Sequence, residues 1–125
     1  MHRPGIDDAL SILPRRAFCL IDEVSFMATA SLSISAESGH GIREYVAIAL
    51  DVLDEMGIRY QLTPMATNME GDVETICEAL ALIHRRCHER GAVRVGSLLK
   101  IDDRIDVLQT LESKVEHVKE LRKPS

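Results

Sequence analysis

Two short segments of the chain concentrate side chains that could contact a small molecule. In the segment TPMAT, Thr63 and Thr67 supply hydroxyls and Met65 a thioether around Pro64, whose ring stiffens a chain reversal. Such a turn can hold polar groups and an adaptable apolar contact beside a planar ligand, although ordinary turn chemistry uses the same residues. The segment KIDDR, residues 100–104, could give a ligand a counter-charge or form only surface ion pairs, and charge alone favours the ion pairs.

A metal site and a catalytic site each have one candidate set of residues. His84, Cys87 and His88 stand at helix positions i, i+3 and i+4, a spacing that could hold a transition metal. Cys87, however, belongs to an apolar stripe, and a side chain in the core cannot also join two histidines at the helix edge. Asp102 and Asp103 are neighbours on a predicted strand and would point to opposite faces, so they make a poor acid and base pair. We therefore predict a non-enzymatic protein without a metal site.

The composition is that of a single domain with an aliphatic interior. The 125 residues suit one domain, and 46% of them are hydrophobic while only 3% are aromatic. The net charge of -5 disfavours nucleic acid and anionic membranes as partners and suits a neutral or cationic small molecule. No apolar run reaches the ~20 residues of a membrane span, and the three cysteines form no CxxC pair, so the cytoplasm is the expected location.

Hydrophobic periodicity divides the chain into a loosely attached extension, residues 1–22, and one folded domain, residues 23–121. Asp72 is placed to begin a helix as its N-cap, and Gly57 and Gly91 each stand where a helix should end. The predicted elements are, in order, strand 26–35, helix 42–56, strands 59–63 and 66–70, helix 73–87, strand 93–102 and helix 107–121.

The order βαββαβ predicts an α+β ferredoxin-like fold, an antiparallel sheet with two helices on one face, plus a C-terminal helix. That last helix has a narrow apolar seam, so it could dock on its own domain or on another subunit. Gly96 would leave room on the open sheet face for a ligand or a second backbone, while alternation alone favours a solvated face. The open face should carry Thr29, Ser31, Ser33, Gln61, Thr63, Gly96 and Lys100.

Several of these residues occur together in a known family. The run YQLTPMAT at residues 60–67, the pair Glu70-Gly71, the segment KIDDR and the run KVE from Lys114 resemble the small thiamine-binding protein family in order and spacing. The likeness extends from about Val24 to Leu121. It implies a ferredoxin-like fold, assembly of identical subunits into dimers and tetramers through sheets and last helices, and binding of thiamine or its pyrimidine part without known catalysis.

The resemblance gives a hypothesis for the ligand contacts. The aminopyrimidine of thiamine needs a donor and acceptor edge, the cationic thiazolium needs an acidic neighbour, and a thioether could contact the ring face. The candidate ligand-binding residues are Ser31, Ser33, Thr63, Met65, Thr67, Glu70, Lys100 and Asp102. The main alternative is a structural or regulatory homo-oligomer that does not bind thiamine, and a metal-binding protein is a less favoured one.

Overall fold

The computed structural model of the protein describes residues 27–39 and 41–124. The predicted extension 1–22 and the first residues of the predicted domain lie outside the described residues. The described elements are β1 (Ala28–Glu37), α1 (Ile42–Glu55), β2 (Arg59–Leu62), β3 (Thr67–Gly71), α2 (Val73–Glu89), β4 (Arg94–Asp102) and α3 (Leu111–Arg122).

The four described strands form one antiparallel sheet in the order β2-β3-β1-β4. The long strand β1 lies in the centre, where Ser31 is opposite Asn68 of β3 and Lys100 of β4. Helices α1 and α2 cover one face of the sheet. On that face the buried apolar side chains of β1 are Ala28, Ala30 and Leu32, which alternate with its polar residues. The predicted ferredoxin-like fold is confirmed.

Both covering helices end in the same way. Gly57 follows α1 with φ of 69° and Gly91 follows α2 with φ of 120°, in the left-handed region that glycine tolerates best. After α1, the amide of Ile58 donates to the carbonyl of Leu53 at 2.9 Å. After α2, the amide of Ala92 donates to the carbonyl of Cys87 at 3.0 Å. These are Schellman caps, which turn each helix sharply toward the next strand and confirm both predicted ends.

The start of α2 differs in detail from its prediction. Asp72 occupies the N-cap position, but its side chain makes no capping hydrogen bond to the helix backbone. Instead, the hydroxyl of Thr75 donates to the Asp72 carboxylate at 2.6 Å. Asp72 therefore stabilises the first turn of α2 through the side chain of Thr75 and not through the helix backbone.

The last helix begins later than its apolar spacing indicated, so the predicted start at residue 107 is wrong. Thr110 and Ser113 form a reciprocal capping box, in which the amide of Ser113 donates to the Thr110 hydroxyl at 2.9 Å and the amide of Thr110 to the Ser113 hydroxyl at 2.8 Å. This cap satisfies the first amides of α3 and therefore places its beginning at Leu111. Leu108 precedes the helix and is exposed.

Helix α3 lies on the sheet face that α1 and α2 leave open. Leu111 is buried there, and Arg59 of β2 donates to the carboxylate of Glu112 at 2.9 Å and also contacts Glu70 of β3. The resulting contacts cover part of the face, including Thr29. No described helix is long and apolar enough to span a membrane.

Candidate functional site

A cavity of about 690 Å³ lies where the loop between β2 and β3 meets α1, on the face of the sheet that the two helices cover. We call it the loop cavity. Its size falls within the usual range for a small-molecule site. It is lined by Leu32, Ser33, Ile34, Ile42, Arg43, Val46, Ala47, Ala49, Leu50, Leu62, Thr63, Pro64, Met65, Ala66 and Thr67.

The loop that borders this cavity is held by its own hydrogen bonds. The amide and the hydroxyl of Thr63 donate to the carbonyl of Ala66 at 2.9 Å and 2.7 Å, and the amide of Ala66 donates back to the hydroxyl at 3.2 Å. The hydroxyl of Ser33 donates to the carbonyl of Met65 at 3.4 Å, which ties the loop to β1. Thr63 and Ser33 therefore shape the loop, while the side chain of Met65 is 86% exposed beside the cavity.

The cavity walls are mainly aliphatic, with one available hydroxyl. Thr67 pairs with Leu32 in the β1-β3 register, on the helix side of the sheet, and is only 4% exposed. Within the part of the chain that the structure describes, its hydroxyl has no hydrogen-bond partner. An apolar cavity with a polar group in its wall can orient a heterocycle while its walls bury the ring.

The first turn of α1 contributes to the wall of the loop cavity. The buried Tyr45 donates from its hydroxyl to that of Ser38 at 2.6 Å, which attaches the segment before α1 to the helix. Ile42 and Arg43 of the first turn then line the cavity, and of the described lining residues Arg43 alone is charged.

A second and smaller cavity, of about 280 Å³, lies on the other face of the sheet under α3. We call it the α3 groove. Lys114 of α3 donates to the carboxylate of Asp102 at 2.5 Å, and this hydrogen bond, with the charge of the lysine, lowers the pKa of Asp102. The groove is lined by Thr29, Ala30, Ser31, Gln61, Asn68, Lys100, Asp102, Leu111, Lys114 and Val115.

The predicted ligand-binding residues are divided between the two faces. Ser33, Thr63, Met65 and Thr67 border the loop cavity. The other four lie on the opposite face: Ser31, Lys100 and Asp102 border the α3 groove, and Glu70 is paired with Arg59. Register places Ser31, Lys100 and Asp102 on the open face and Thr67 on the helix-covered face. Ser33 has the parity of Ser31, and it borders the loop cavity where β1 continues beyond its last residue paired with β3.

Sequence reasoning missed the contribution of α1 to the site. Val46 lines the cavity together with Arg43, Ala47 and Leu50 of the same helix. The spacing of these four residues, i, i+3, i+4 and i+7, marks one face of a helix and was the available signal. Gly96 gives no ligand space, because a side-chain carbon there would lie 2.8 Å from the hydroxyl of Ser35.

The three candidate metal ligands on α2 point to different surroundings. Cys87 is fully buried in the core, as predicted, and burial raises the pKa of its thiol. His84 lies 2.8 Å from the hydroxyl of Ser97, and His88 donates from Nδ1 to the carbonyl of Ala92 at 2.8 Å. Over residues 27–39 and 41–124, no cluster of three ligating side chains is suited to a metal ion.

Fold and cavity together define a ferredoxin-like α+β domain with a pocket sized for a small molecule. The model of the family described as thiamine-binding protein matches residues 30–119, which is most of the chain. The chain belongs to the thiamine-binding protein family. The family description supports small-molecule binding as the general role.

Individual relatives agree with this membership. The chain is 36% identical over 97 residues to a UPF0045 protein of Methanothermobacter thermautotrophicus, covering 75% of this chain and 98% of the relative. It is 38% identical over 87 residues to the UPF0045 protein YqgV of Bacillus subtilis, covering 66% and 84%.

Solved structures show the same fold. A hypothetical protein of Methanocaldococcus jannaschii superposes with a TM-score of 0.68 at 30% identity, over 75% of this chain and 97% of that one. A protein of Thermotoga maritima, described as a candidate thiamine biosynthesis/salvage protein, superposes with a TM-score of 0.63 at 25% identity, over 74% and 98%.

Proposed function

We propose that this protein binds thiamine, or the hydroxymethylpyrimidine part of thiamine, in the loop cavity and does not transform it. One observation carries the proposal: the TPMAT segment, which supports the family resemblance, forms one wall of a cavity of about 690 Å³. A binding role without turnover suits the lining, because the described lining residues are aliphatic apart from three hydroxyl side chains and one arginine.

The proposed contacts use each side chain in a different way. The hydroxyl of Thr67 would donate to or accept from the edge of the pyrimidine, since a buried hydroxyl gains most from a partner of matching polarity. Val46 and Leu50 would cover one ring face, and the flexible thioether of Met65 would close over the other. Thr63 and Ser33 would act indirectly, by holding the loop in place.

The proposal assigns the acidic candidates to a structural role. Glu70 is 8% exposed and pairs with Arg59, and Asp102 pairs with Lys114, so both hold α3 on the sheet. In this arrangement neither carboxylate lies in the loop cavity to balance a thiazolium. The pyrimidine part is therefore the better fit.

We further propose that identical subunits assemble through the open sheet face and α3. Support comes from apolar side chains that are exposed there: Leu98 of β4 is 71% exposed, and Val115, Val118 and Leu121 of α3 are each more than half exposed. A patch of this kind commonly marks a protein interface. Analytical ultracentrifugation should give a dimer or tetramer, and the double variant Val115→Asp with Val118→Asp should give monomer.

Calorimetric titration tests the ligand proposal directly. Hydroxymethylpyrimidine should give saturable heat with the full chain, and Ala47→Trp should abolish it, because Ala47 lines the cavity and an indole would fill the space. Ala81→Trp is the matched control, since Ala81 is equally exposed on α2 and does not line the cavity. Absence of saturation at millimolar thiamine and hydroxymethylpyrimidine, in a chain that still assembles, would favour the structural homo-oligomer instead.

A further inference from the structure

The charge of the loop cavity is the opposite of what a cationic ligand requires. Arg43 is part of its lining, and no carboxylate contributes to the lining among the described residues. The adjacent Glu44 forms an ion pair with Arg90, just beyond α2, and Glu70 and Asp102 are paired on the other sheet face. A cation entering the cavity would therefore meet an uncompensated guanidinium, whereas an anion would be attracted by it.

The position of Arg43 supports a role beyond folding. It lies in the first turn of α1, where the helix dipole disfavours a positive charge. Gly41 occupies the N-cap, so no side chain caps this turn. Arg43 also forms no ion pair or hydrogen bond with any residue in the described ranges. Arg43 is thus unpaired and unfavourable for its own helix. Binding of an anionic ligand group would explain why an arginine occupies this position.

We infer that the preferred ligand carries a phosphate monoester, which Arg43 binds while the heterocycle occupies the apolar part of the cavity. The inference rests on the proposed function, because it concerns the same cavity. A guanidinium presents two parallel N–H groups that match two phosphate oxygens, which makes Arg43 suited to this group. The phosphate ester of hydroxymethylpyrimidine, with a neutral ring and an anionic end, has the required distribution of charge.

Calorimetric titrations with two ligand pairs test this inference. The pairs are hydroxymethylpyrimidine with its monophosphate, and thiamine with its monophosphate. In the unmodified full chain each phosphate ester should bind about tenfold more tightly than its parent, the factor expected for one charge-assisted hydrogen-bonded contact. Arg43→Gln should reduce that preference to less than about threefold.

Two control variants separate the charge from the shape of the side chain. Arg43→Lys should keep part of the preference, since it keeps the charge without the planar fork. Arg85→Gln removes an exposed arginine from α2, away from the cavity, and should keep all of it. Inorganic phosphate at millimolar concentration should compete with the esters in the unmodified chain and not in Arg43→Gln.

The possible outcomes distinguish the inference from the proposed function. If the parent heterocycles bind but their esters bind no more tightly, or if Arg43→Gln leaves the preference intact, the inference is wrong and the proposed function stands. If no heterocycle of either pair binds, both are wrong. If the esters alone bind, and binding is lost in both Arg43→Gln and Ala47→Trp, both are supported.

Discussion

The two faces of the sheet use similar side chains for opposite purposes. On the open face, Arg59 joins Glu70 to Glu112 and Lys114 joins α3 to Asp102, so the charged groups satisfy one another. On the helix-covered face, the loop cavity is apolar, and its one described charge is unpaired. A face whose polar groups are already paired has little left to offer a ligand, whereas an apolar cavity with few polar groups can bind one.

The first prediction concerns the ion pair between Arg59 and Glu70 on the open face, in which the carboxylate is nearly buried. Arg59→Met should lower the free energy of unfolding by roughly 1–3 kcal/mol, because the nearly buried carboxylate of Glu70 loses its partner. Urea denaturation measures the change, and hydrogen exchange of α3 should rise with it. Adding Glu70→Gln should recover part of the loss. If the single variant unfolds like the unmodified chain, the ion pair does not stabilise the attachment of α3.

The second prediction concerns the pH dependence of the same contact. The hydrogen bond from Arg59 lowers the pKa of Glu112 from its usual 4.5 to about 2. Because the folded-state pKa is the lower one, the stabilisation is complete above pH 4.5 and is lost as pH falls toward 2. The protection of the α3 amides from exchange, corrected for the intrinsic pH dependence of amide exchange and followed by NMR between pH 5 and about 2, should fall over this window.

Two glutamates of α3 make this pH test specific. Glu112→Gln should flatten the pH dependence of exchange, because the titrating group is removed. Glu116→Gln is the control, since Glu116 forms an ion pair only with the nearby Lys119, at 3.7 Å, among the described residues. Equal pH profiles for the two variants would show that Glu112 does not hold α3.

The third prediction concerns Met65, which borders the loop cavity on the helix-covered face. Met65→Ala should change the free energy of unfolding by no more than about 0.5 kcal/mol, because the side chain is highly exposed. The same change should weaken binding of hydroxymethylpyrimidine several-fold, since the thioether would no longer cover the ring. Thermal denaturation and calorimetry on one preparation give both values. A loss of stability without a loss of affinity would assign Met65 to the fold.

Periodicity in the sequence predicted most of the fold, because each element has one buried face and the helix ends are marked by Gly57 and Gly91. It misplaced the start of α3, since residues 107–109 continue an apolar pattern, whereas the capping box of Thr110 and Ser113 sets the boundary. Side-chain hydrogen bonding decides that point, and spacing does not reveal it.

The site was only partly predictable for a related reason. Alternation correctly assigned Ser31 and Lys100 to the open face, and the TPMAT segment drew attention to Thr67. Sequence could not show that the hydroxyl of Thr63 is used within its own turn. It also could not show that Arg43 lines the cavity, because the space between a helix and a sheet end depends on how the two pack.

The central claim is that the ligand binds on the helix-covered face, in the loop cavity, and an NMR titration of the backbone amides tests it most directly. With hydroxymethylpyrimidine or its monophosphate, we expect the largest shifts at residues of the loop cavity, above all Arg43, Ala47, Met65 and Thr67. The amides of Ser31, Lys100 and Lys114 in the α3 groove should move little. Saturable shifts confined to the α3 groove would contradict the account.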